Sequence, residues 1–203
     1  MRSINRLNEE IARWAFEILF KTNEEWKIAF TNPTAGPWKT IKANSLIDNT
    51  EGEVYRFILE EDRPDIIMYN DQLEAIIIIE AKDSLEKLMV GTQAQKSAAV
   101  VVKLANILKS KATNHFWKGR ENYSVILGLL WGSTDNPETE SEKNKLYDYY
   151  RSLVAGEEIV DSDLVIGVET LYKDENLKCT SYFKDYSGTQ APFGEAIVKS
   201  LMK

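Results

Sequence analysis

The sequence predicts an α/β protein of the α+β type, with one central mixed β-sheet flanked by helices. Short apolar runs bounded by turn residues indicate buried strands, and apolar residues at three- and four-residue steps indicate amphipathic helices. The order of these segments is a helix, a three-strand meander, a helical crossover and a further strand, which is typical of a mixed sheet. At 203 residues the chain has the length of a single domain.

The first half of the chain contains the predicted core. Residues 5–20 form a predicted amphipathic helix, because their apolar residues recur at helical steps. The meander then has three predicted strands, at residues 53–59, 65–69 and 74–81. The third of these is apolar on both faces, so we expect it to be central and covered on both sides. Turn chemistry at Asn70, Asp71 and Gln72 separates the second strand from the third.

A long helix and a further strand complete this core, and more elements follow it. The first is a helix from about residue 84 to 109, with Gly91 as a candidate interruption, and a buried strand at 123–131 follows it. The additions are a polar and peripheral helix at 138–154, a hairpin with strands at 163–172 and 177–183, and a closing helix at 192–202. We therefore expect one domain, 1–203, with a core at about 1–131 and additions at about 132–203.

Composition excludes several classes of protein. With 43% hydrophobic and 28% charged residues, the chain has the composition of a soluble globular protein. No apolar run approaches the roughly 18 residues of a membrane span, and the first residues lack the apolar stretch of a signal peptide. Its single cysteine, Cys179, favours a reducing, cytoplasmic setting. The sequence also lacks a phosphate-binding loop, a dinucleotide fingerprint and zinc-ligand spacing.

Charge is distributed unevenly along the chain. The net charge of −7 argues against a general nucleic-acid coat protein. Residues 51–82 contain three basic and nine acidic side chains, whereas residues 83–121 contain seven basic and three acidic ones. An acidic block followed directly by a basic block favours a cation site beside an anion-binding surface. Ordinary solvated charge is the alternative interpretation.

Asp65, Glu80 and Lys82 form the candidate site. Glu80 and Lys82 point to one face of the third predicted strand, because side chains alternate along a strand. If the turn has two residues, Asn70 pairs with Leu73, so Asp65 lies opposite Ile78 and diagonal to Glu80, with Cβ atoms roughly 7 Å apart or less. A four-residue loop keeps these side chains on the same face. A three-residue loop would place the two carboxylates on opposite faces.

Two carboxylates at the rim of an apolar sheet need a compensating positive charge. Mg²⁺ prefers a few oxygen ligands together with waters and substrate phosphate, and the backbone carbonyl of Ala81 is available as a further ligand. Lys82, beside the metal, would hold or deprotonate a water and neutralise charge in a phosphoryl transition state. The alternative is that Asp65 caps a strand and that Glu80 and Lys82 form a surface pair.

Pro64-Asp65, a hydrophobic strand and Glu80-Ala81-Lys82 together resemble the PD-(D/E)XK nuclease superfamily, which includes most type II restriction endonucleases. The resemblance covers roughly residues 1–131 and implies a restriction-endonuclease-like core. It implies that Asp65 and Glu80 bind the metal and that Lys82 is the catalytic lysine. It also implies hydrolysis of DNA phosphodiester bonds with Mg²⁺, for which Mn²⁺ substitutes. Some members add a first-helix glutamate, for which the candidates are Glu10 and, almost as plausibly, Glu9 and Glu17.

Basic residues after the motif suggest a surface for DNA phosphates. Lys96 and Lys103 lie seven residues apart, hence on one helical face. The other members of this predicted patch are Lys109, Lys111, Lys118 and Arg120. Gln93 and Gln95 lie on the same helix, but nothing in the pattern favours either as a substrate contact. His115 lacks a partner pattern for a metal or triad, and Cys179 is more typical of packing than of a nucleophile.

The sequence thus predicts a magnesium-dependent DNA endonuclease, a type II restriction enzyme or its cleavage subunit. The expected partner is double-stranded DNA, bound by a homodimer or by a heteromer with a recognition subunit. The predicted hairpin at 163–183 and the loop at 186–190 are candidates for base reading or for a subunit interface. The alternatives are a repair or recombination nuclease and a non-catalytic nuclease-like binding module.

Overall fold

The computed structural model describes residues 23–31, 64–109, 119–133, 136–155, 160–161, 163–173 and 176–202. Its strands are β1 Lys27–Thr31, β2 Ile66–Asn70, β3 Ala75–Lys82, β4 Ser124–Ser133, β5 Leu164–Lys173 and β6 Asn176–Asp185. Its helices are α1 Leu85–Leu88, α2 Gly91–Lys109, α3 Glu140–Val154 and α4 Ala191–Leu201. The predicted helix at 5–20 and the predicted strand at 53–59 lie outside these described residues.

The strands form one mixed sheet in the order β1-β2-β3-β4-β5-β6. Neighbours pair antiparallel from β1 to β3, parallel from β3 through β4 to β5, and antiparallel again between β5 and β6. The predicted mixed α/β sheet with flanking helices is therefore confirmed. The sequence prediction has no strand at β1, which pairs with β2 in the described sheet. The predicted hairpin of β5 and β6 is present and continues this same sheet.

Strand β3 is central, as its sequence predicts. It pairs with β2 on one side and β4 on the other, and every residue from Ala75 to Ala81 is buried. One face of the sheet packs against α1, α2 and α3, and the other packs against α4 and Trp26. Because apolar side chains cover both faces, a strand without alternating polar residues is stable only in the middle of the sheet.

The predicted helix at 84–109 is interrupted just before Gly91, consistent with the interruption expected there. It forms two helices, α1 and α2, with Met89 and Val90 between them. Ser84 caps α1 by accepting from the Lys87 N–H, so the chain enters this short helix directly from β3. The prediction that α3 is polar and peripheral is wrong for one of its faces. Its buried residues are Lys143, Leu146, Tyr147, Tyr150 and Val154.

Because β3, β4 and β5 run parallel, the ends of these strands define two edges of the sheet, a carboxyl edge and an amino edge. At the carboxyl edge, where β3, β4 and β5 end, Lys82 lies opposite Trp131, and Trp131 lies opposite Glu169. The turn between β2 and β3 lies at the amino edge. The segment that follows β6 also lies there, and its Tyr186 N–H donates to the Asp163 carbonyl at 2.9 Å. Within the described residues, no helix is long and apolar enough to cross a membrane.

Candidate active site

The β2–β3 connection sets the register of the candidate site. Asn70 pairs with Ala75, so the loop has four residues, which is the second of the two loop lengths that place the carboxylates on one face, and Asn70 does not pair with Leu73. The reason is local: the Asn70 side-chain oxygen accepts from the N–H groups of Gln72 and Leu73, each at 2.9 Å. This Asx-type cap uses the Leu73 N–H that a two-residue hairpin would need. Since the register moves by two residues, the predicted faces are unchanged.

Asp65 lies just before β2 and reaches β3 with both its backbone and its side chain. Its N–H donates to the Ile79 carbonyl at 3.1 Å, and its Oδ2 accepts from the Ala81 N–H at 2.8 Å. The residue is only 6% exposed. The carboxylate is therefore fixed against the backbone of β3 between Glu80 and Lys82.

The ammonium of Lys82 lies among oxygen atoms of the other predicted site residues. Its Nζ lies 2.5 Å from Glu80 Oε1, 2.9 Å from the Ala81 carbonyl oxygen and 4.0 Å from Asp65 Oδ2. These oxygens belong to the three residues that the sequence assigned to a metal ion. Here one cation, the lysine ammonium, contacts all three. The surface-pair interpretation of Glu80 and Lys82 does not fit, because Glu80 is only 7% exposed.

The site has more buried negative charge than its lysine neutralises. Burial, and then the nearby charge of Asp65, raises the pKa of Glu80 to about 7, although Lys82 opposes this rise. Two carboxylates and a backbone carbonyl are the hard oxygen ligands that Mg²⁺ prefers, so the residues present fit such an ion. Among the described residues there is no cluster of three or more His, Cys, Asp and Glu side chains suited to a metal. A small ligand set of this kind suits Mg²⁺, which keeps several waters.

Two hydroxyl groups near Glu80 were not predicted from the sequence as parts of the site. Ser97 of α2 is 4% exposed, and its hydroxyl opposes the rise in the pKa of Glu80 and, likewise, that of Tyr150 in α3. Tyr150 in turn donates to the Leu88 carbonyl at 3.0 Å. The available signal was a single serine in an otherwise apolar helical stripe, whose other buried members among the described side chains are Ala94, Ala98, Val100, Val101 and Ala105.

A second buried ion pair lies on the same face and edge, beyond Trp131. Lys143 Nζ lies 3.2 Å from Glu169 Oε2 and 3.6 Å from the centre of the Tyr182 ring. Glu169 Oε1 accepts from Ser133 Oγ at 2.8 Å and from the Glu138 N–H at 2.7 Å. Both carboxylate oxygens of Glu169 have donors, so we interpret this pair as the anchor of α3 to the sheet.

Only part of the predicted basic patch lies together. Lys96 and Lys103 are exposed on α2, as predicted. The prediction that Arg120 belongs to this patch is wrong. Arg120 lies at the amino edge, where its Nε is 2.7 Å from Asp71 Oδ1 and its guanidinium stacks on Tyr69. The long-range pairing with Asp71 turns this charge away from the candidate site. Lys111 and Lys118 lie outside the described residues, as does the side chain of Lys109.

The remaining candidate residues from the sequence lie away from the site or outside the described residues. Gln95 is exposed on α2, and Cys179 is half-buried in β6, where burial raises the pKa of its thiol to about 12. The segment at 186–190 lies at the amino edge, whereas the last β5–β6 pair, Lys173 with Asn176, lies at the carboxyl edge. Outside the described residues lie Glu9, Glu10, Glu17, His115 and the side chain of Gln93.

Comparison of the chain with protein-family models, with curated proteins and with solved structures finds no match in any of the three. The resemblance to the nuclease superfamily therefore rests on the motif residues themselves.

Proposed function

We propose that this protein is a magnesium-dependent DNA endonuclease that resembles the type II restriction enzymes. The observation that supports the proposal best is the position of the Lys82 ammonium among oxygens of Asp65, Glu80 and Ala81. A cation held by two buried carboxylates and a carbonyl at the carboxyl edge of a sheet lies where α/β proteins usually bind ligands.

The residues of the site have different proposed roles. Asp65, Glu80 and the Ala81 carbonyl would hold the metal ion. Bound Mg²⁺ supplies Lewis-acid activation of water and phosphate. The Lys82 side chain is 17% exposed against 9% for each carboxylate, so its ammonium lies on the solvent side of the pair. From there it would donate hydrogen bonds to the negative charge that develops on a phosphate.

Double-stranded DNA is the proposed substrate, in a cytoplasmic setting. The exposed Lys96 and Lys103 on α2 would contact phosphates. The β5–β6 hairpin also extends past β4: the last β4–β5 pair is Ser133 with Leu171, whereas β5 continues to Lys173. This overhang at the carboxyl edge supports a role in contacting DNA or a second subunit. A homodimer or a heteromer with a recognition subunit would supply the surface that one acidic domain lacks.

The test is digestion of a long unmethylated DNA with Mg²⁺, followed by sequencing of the product ends. We expect discrete ends in the wild type, and neither cleavage with excess chelator nor cleavage by Asp65→Asn. Asp148→Asn is the matched control, because Asp148 forms an exposed ion pair with Lys184 at 2.6 Å, away from the site. Ends scattered over the DNA would indicate a repair or recombination nuclease. Binding without cleavage would indicate a non-catalytic module, and cleavage in excess chelator would contradict the metal site.

A further inference from the structure

Met89 and Val90, between α1 and α2, are adjacent apolar residues whose side chains face solvent. Their exposed fractions are 36% and 54%, and among the described side chains Met202 is the only other large hydrophobic one that is as exposed. Single exposed apolar residues are common on protein surfaces, whereas contiguous ones often mark a binding surface. We refer to Met89 and Val90 as the junction pair.

The backbone holds the junction pair in a defined position. The Met89 N–H donates to the Glu86 carbonyl at 3.0 Å. The Val90 N–H donates to the Lys87 carbonyl at 3.4 Å, which closes the last turn of α1. The Val90 carbonyl then accepts from the Ala94 N–H at 3.0 Å, which begins α2. Because a helix holds the chain on each side, the two side chains project from a fixed point on the surface.

The junction pair lies close to the candidate site. Helix α1 begins three residues after Lys82 and has only four residues, so it is about 6 Å long at about 1.5 Å per residue. Tyr150 of α3 donates to the Leu88 carbonyl at 3.0 Å. Burial, and then the charge of Glu80, raises the pKa of this tyrosine. The side chain that bonds the residue before Met89 is therefore also within electrostatic range of Glu80.

DNA fits this surface better than a second protein does. Two side chains bury far less than the roughly 800 Å² per partner of a stable protein interface. In α1, Glu86 is exposed and Lys87 pairs with Asp83, so the cations that favour DNA are those of α2. There Lys96 and Lys103 are exposed along one helical face that begins at the junction. An apolar point beside a row of cations suits a base step beside phosphates.

We propose that the junction pair inserts as an apolar wedge between two base pairs of bound DNA, next to the step that is cleaved. This inference rests on the proposed function. Apolar wedges, methionine among them, unstack a base step and kink the duplex by about 20–90°. Unstacking costs least at the flexible pyrimidine–purine steps, TA and CA/TG. The wedge therefore gives the protein a preference for such steps near the cut without hydrogen bonds to the bases.

The experiment treats long DNA with permanganate, which oxidises thymines that have lost a stacking neighbour. The protein is bound in Ca²⁺ so that the DNA is not cleaved. Every TA or CA/TG step contains a thymine, and we expect reactive thymines within a few base pairs of the ends that the wild type produces with Mg²⁺. Met89→Ser with Val90→Ser should abolish this reactivity at equal occupancy. It should also slow single-turnover cleavage by about 10- to 100-fold, because the phosphate is displaced from the site.

Two further variants serve as controls. Met89→Leu with Val90→Ile keeps an apolar wedge and should retain both signals. Met202→Ser is the matched control, because Met202 is a 42% exposed methionine at the end of α4, which packs on the other face of the sheet. Serine is favourable directly before a helix, so Val90→Ser should not disturb the start of α2. Melting curves of all variants check the fold.

The wedge is overturned if the double serine variant keeps the reactive thymines, or if Met202→Ser loses them as well. It is also overturned if the Leu and Ile variant folds and loses them. Normal cleavage by the double serine variant together with loss of a homodimer in sedimentation would overturn it and assign the junction pair to a second subunit. A wild type that binds no DNA overturns the proposed function and this inference with it, whereas a wild type that cleaves DNA without reactive thymines overturns the wedge alone.

Discussion

Asp65 accepts a hydrogen bond from the backbone N–H of Ala81 at 2.8 Å, which ties a carboxylate that precedes one strand to the backbone of the next. Ala81 lies between Glu80 and Lys82, so this bond places Asp65 beside both of them. It also uses Oδ2 of Asp65, the oxygen nearest to the lysine ammonium. The backbone of β3 therefore orients Asp65 as well as supplying a carbonyl to the site.

The first prediction is that Asp65→Asn abolishes cleavage while preserving the fold and DNA binding. An amide oxygen can still accept from Ala81, but the variant loses a charged metal ligand. Without metal, each carboxylate repels a phosphate, and a unit charge at about 4 Å contributes on the order of several kcal/mol at an intermediate dielectric. Binding in chelator should therefore be equal or tighter. Gel-shift titrations with parallel melting curves test this, and normal cutting by Asp65→Asn would refute it.

The second prediction is that Lys82→Ala still binds DNA but cleaves it roughly 10²-fold more slowly or worse, because a hydrogen bond that stabilises the transition state is removed. Single-turnover cleavage at saturating protein measures the chemical step. Lys184→Ala is the control, because Lys184 pairs with Asp148 on an exposed surface and should leave the rate unchanged. A wild-type rate in Lys82→Ala would remove the lysine from the proposed mechanism.

The third prediction separates two groups of basic residues. Lys96→Ala with Lys103→Ala should weaken binding to all DNA sequences and reduce the salt slope by about one unit for each phosphate that a lysine no longer neutralises. Arg120→Ala should leave the slope unchanged, because Arg120 pairs with Asp71 at the amino edge. Binding titrations over a range of salt concentrations measure both slopes. Equal slopes in the double lysine variant and the wild type would exclude α2 as the DNA-binding face.

The fourth prediction concerns pH and the stability of the metal-free protein. The pKa of Glu80 is raised to about 7 from an ordinary value of 4.5, so the folded state binds its proton more tightly than the unfolded state does. The stability that this proton supplies is fully present below about pH 4.5 and is lost as the pH rises through about 7. Glu80→Gln cannot titrate, so its free energy of unfolding should fall less over this interval.

Urea unfolding in chelator, at a series of pH values, measures this difference between the wild type and Glu80→Gln. Mg²⁺ should reduce the pH dependence of the wild type at neutral pH, because it stabilises the ionised carboxylates. Identical pH profiles for the two proteins would contradict the assignment of a raised pKa to Glu80.

Much of the candidate site was predictable because it depends on local rules. Alternation along a strand places Glu80 and Lys82 on one face of β3, whatever else the chain does. The placement of Asp65 is also the same for loops of two and of four residues, because a register shift of two residues leaves every side chain on its face. The structure has the four-residue loop. The turn itself, the burial of β3 and the hairpin of β5 and β6 follow from turn chemistry and apolar runs in the same way.

Local periodicity defines the segments of the chain and the side chains that share a face within each segment. Which segments pack against each other depends on contacts between residues far apart in the sequence. The pairing of Arg120 with Asp71 joins residues 49 positions apart, and the pair formed by Lys143 with Glu169 joins α3 to β5. Local periodicity contains no information on such partners, because a buried charge or hydroxyl is stable only beside a group that another segment supplies.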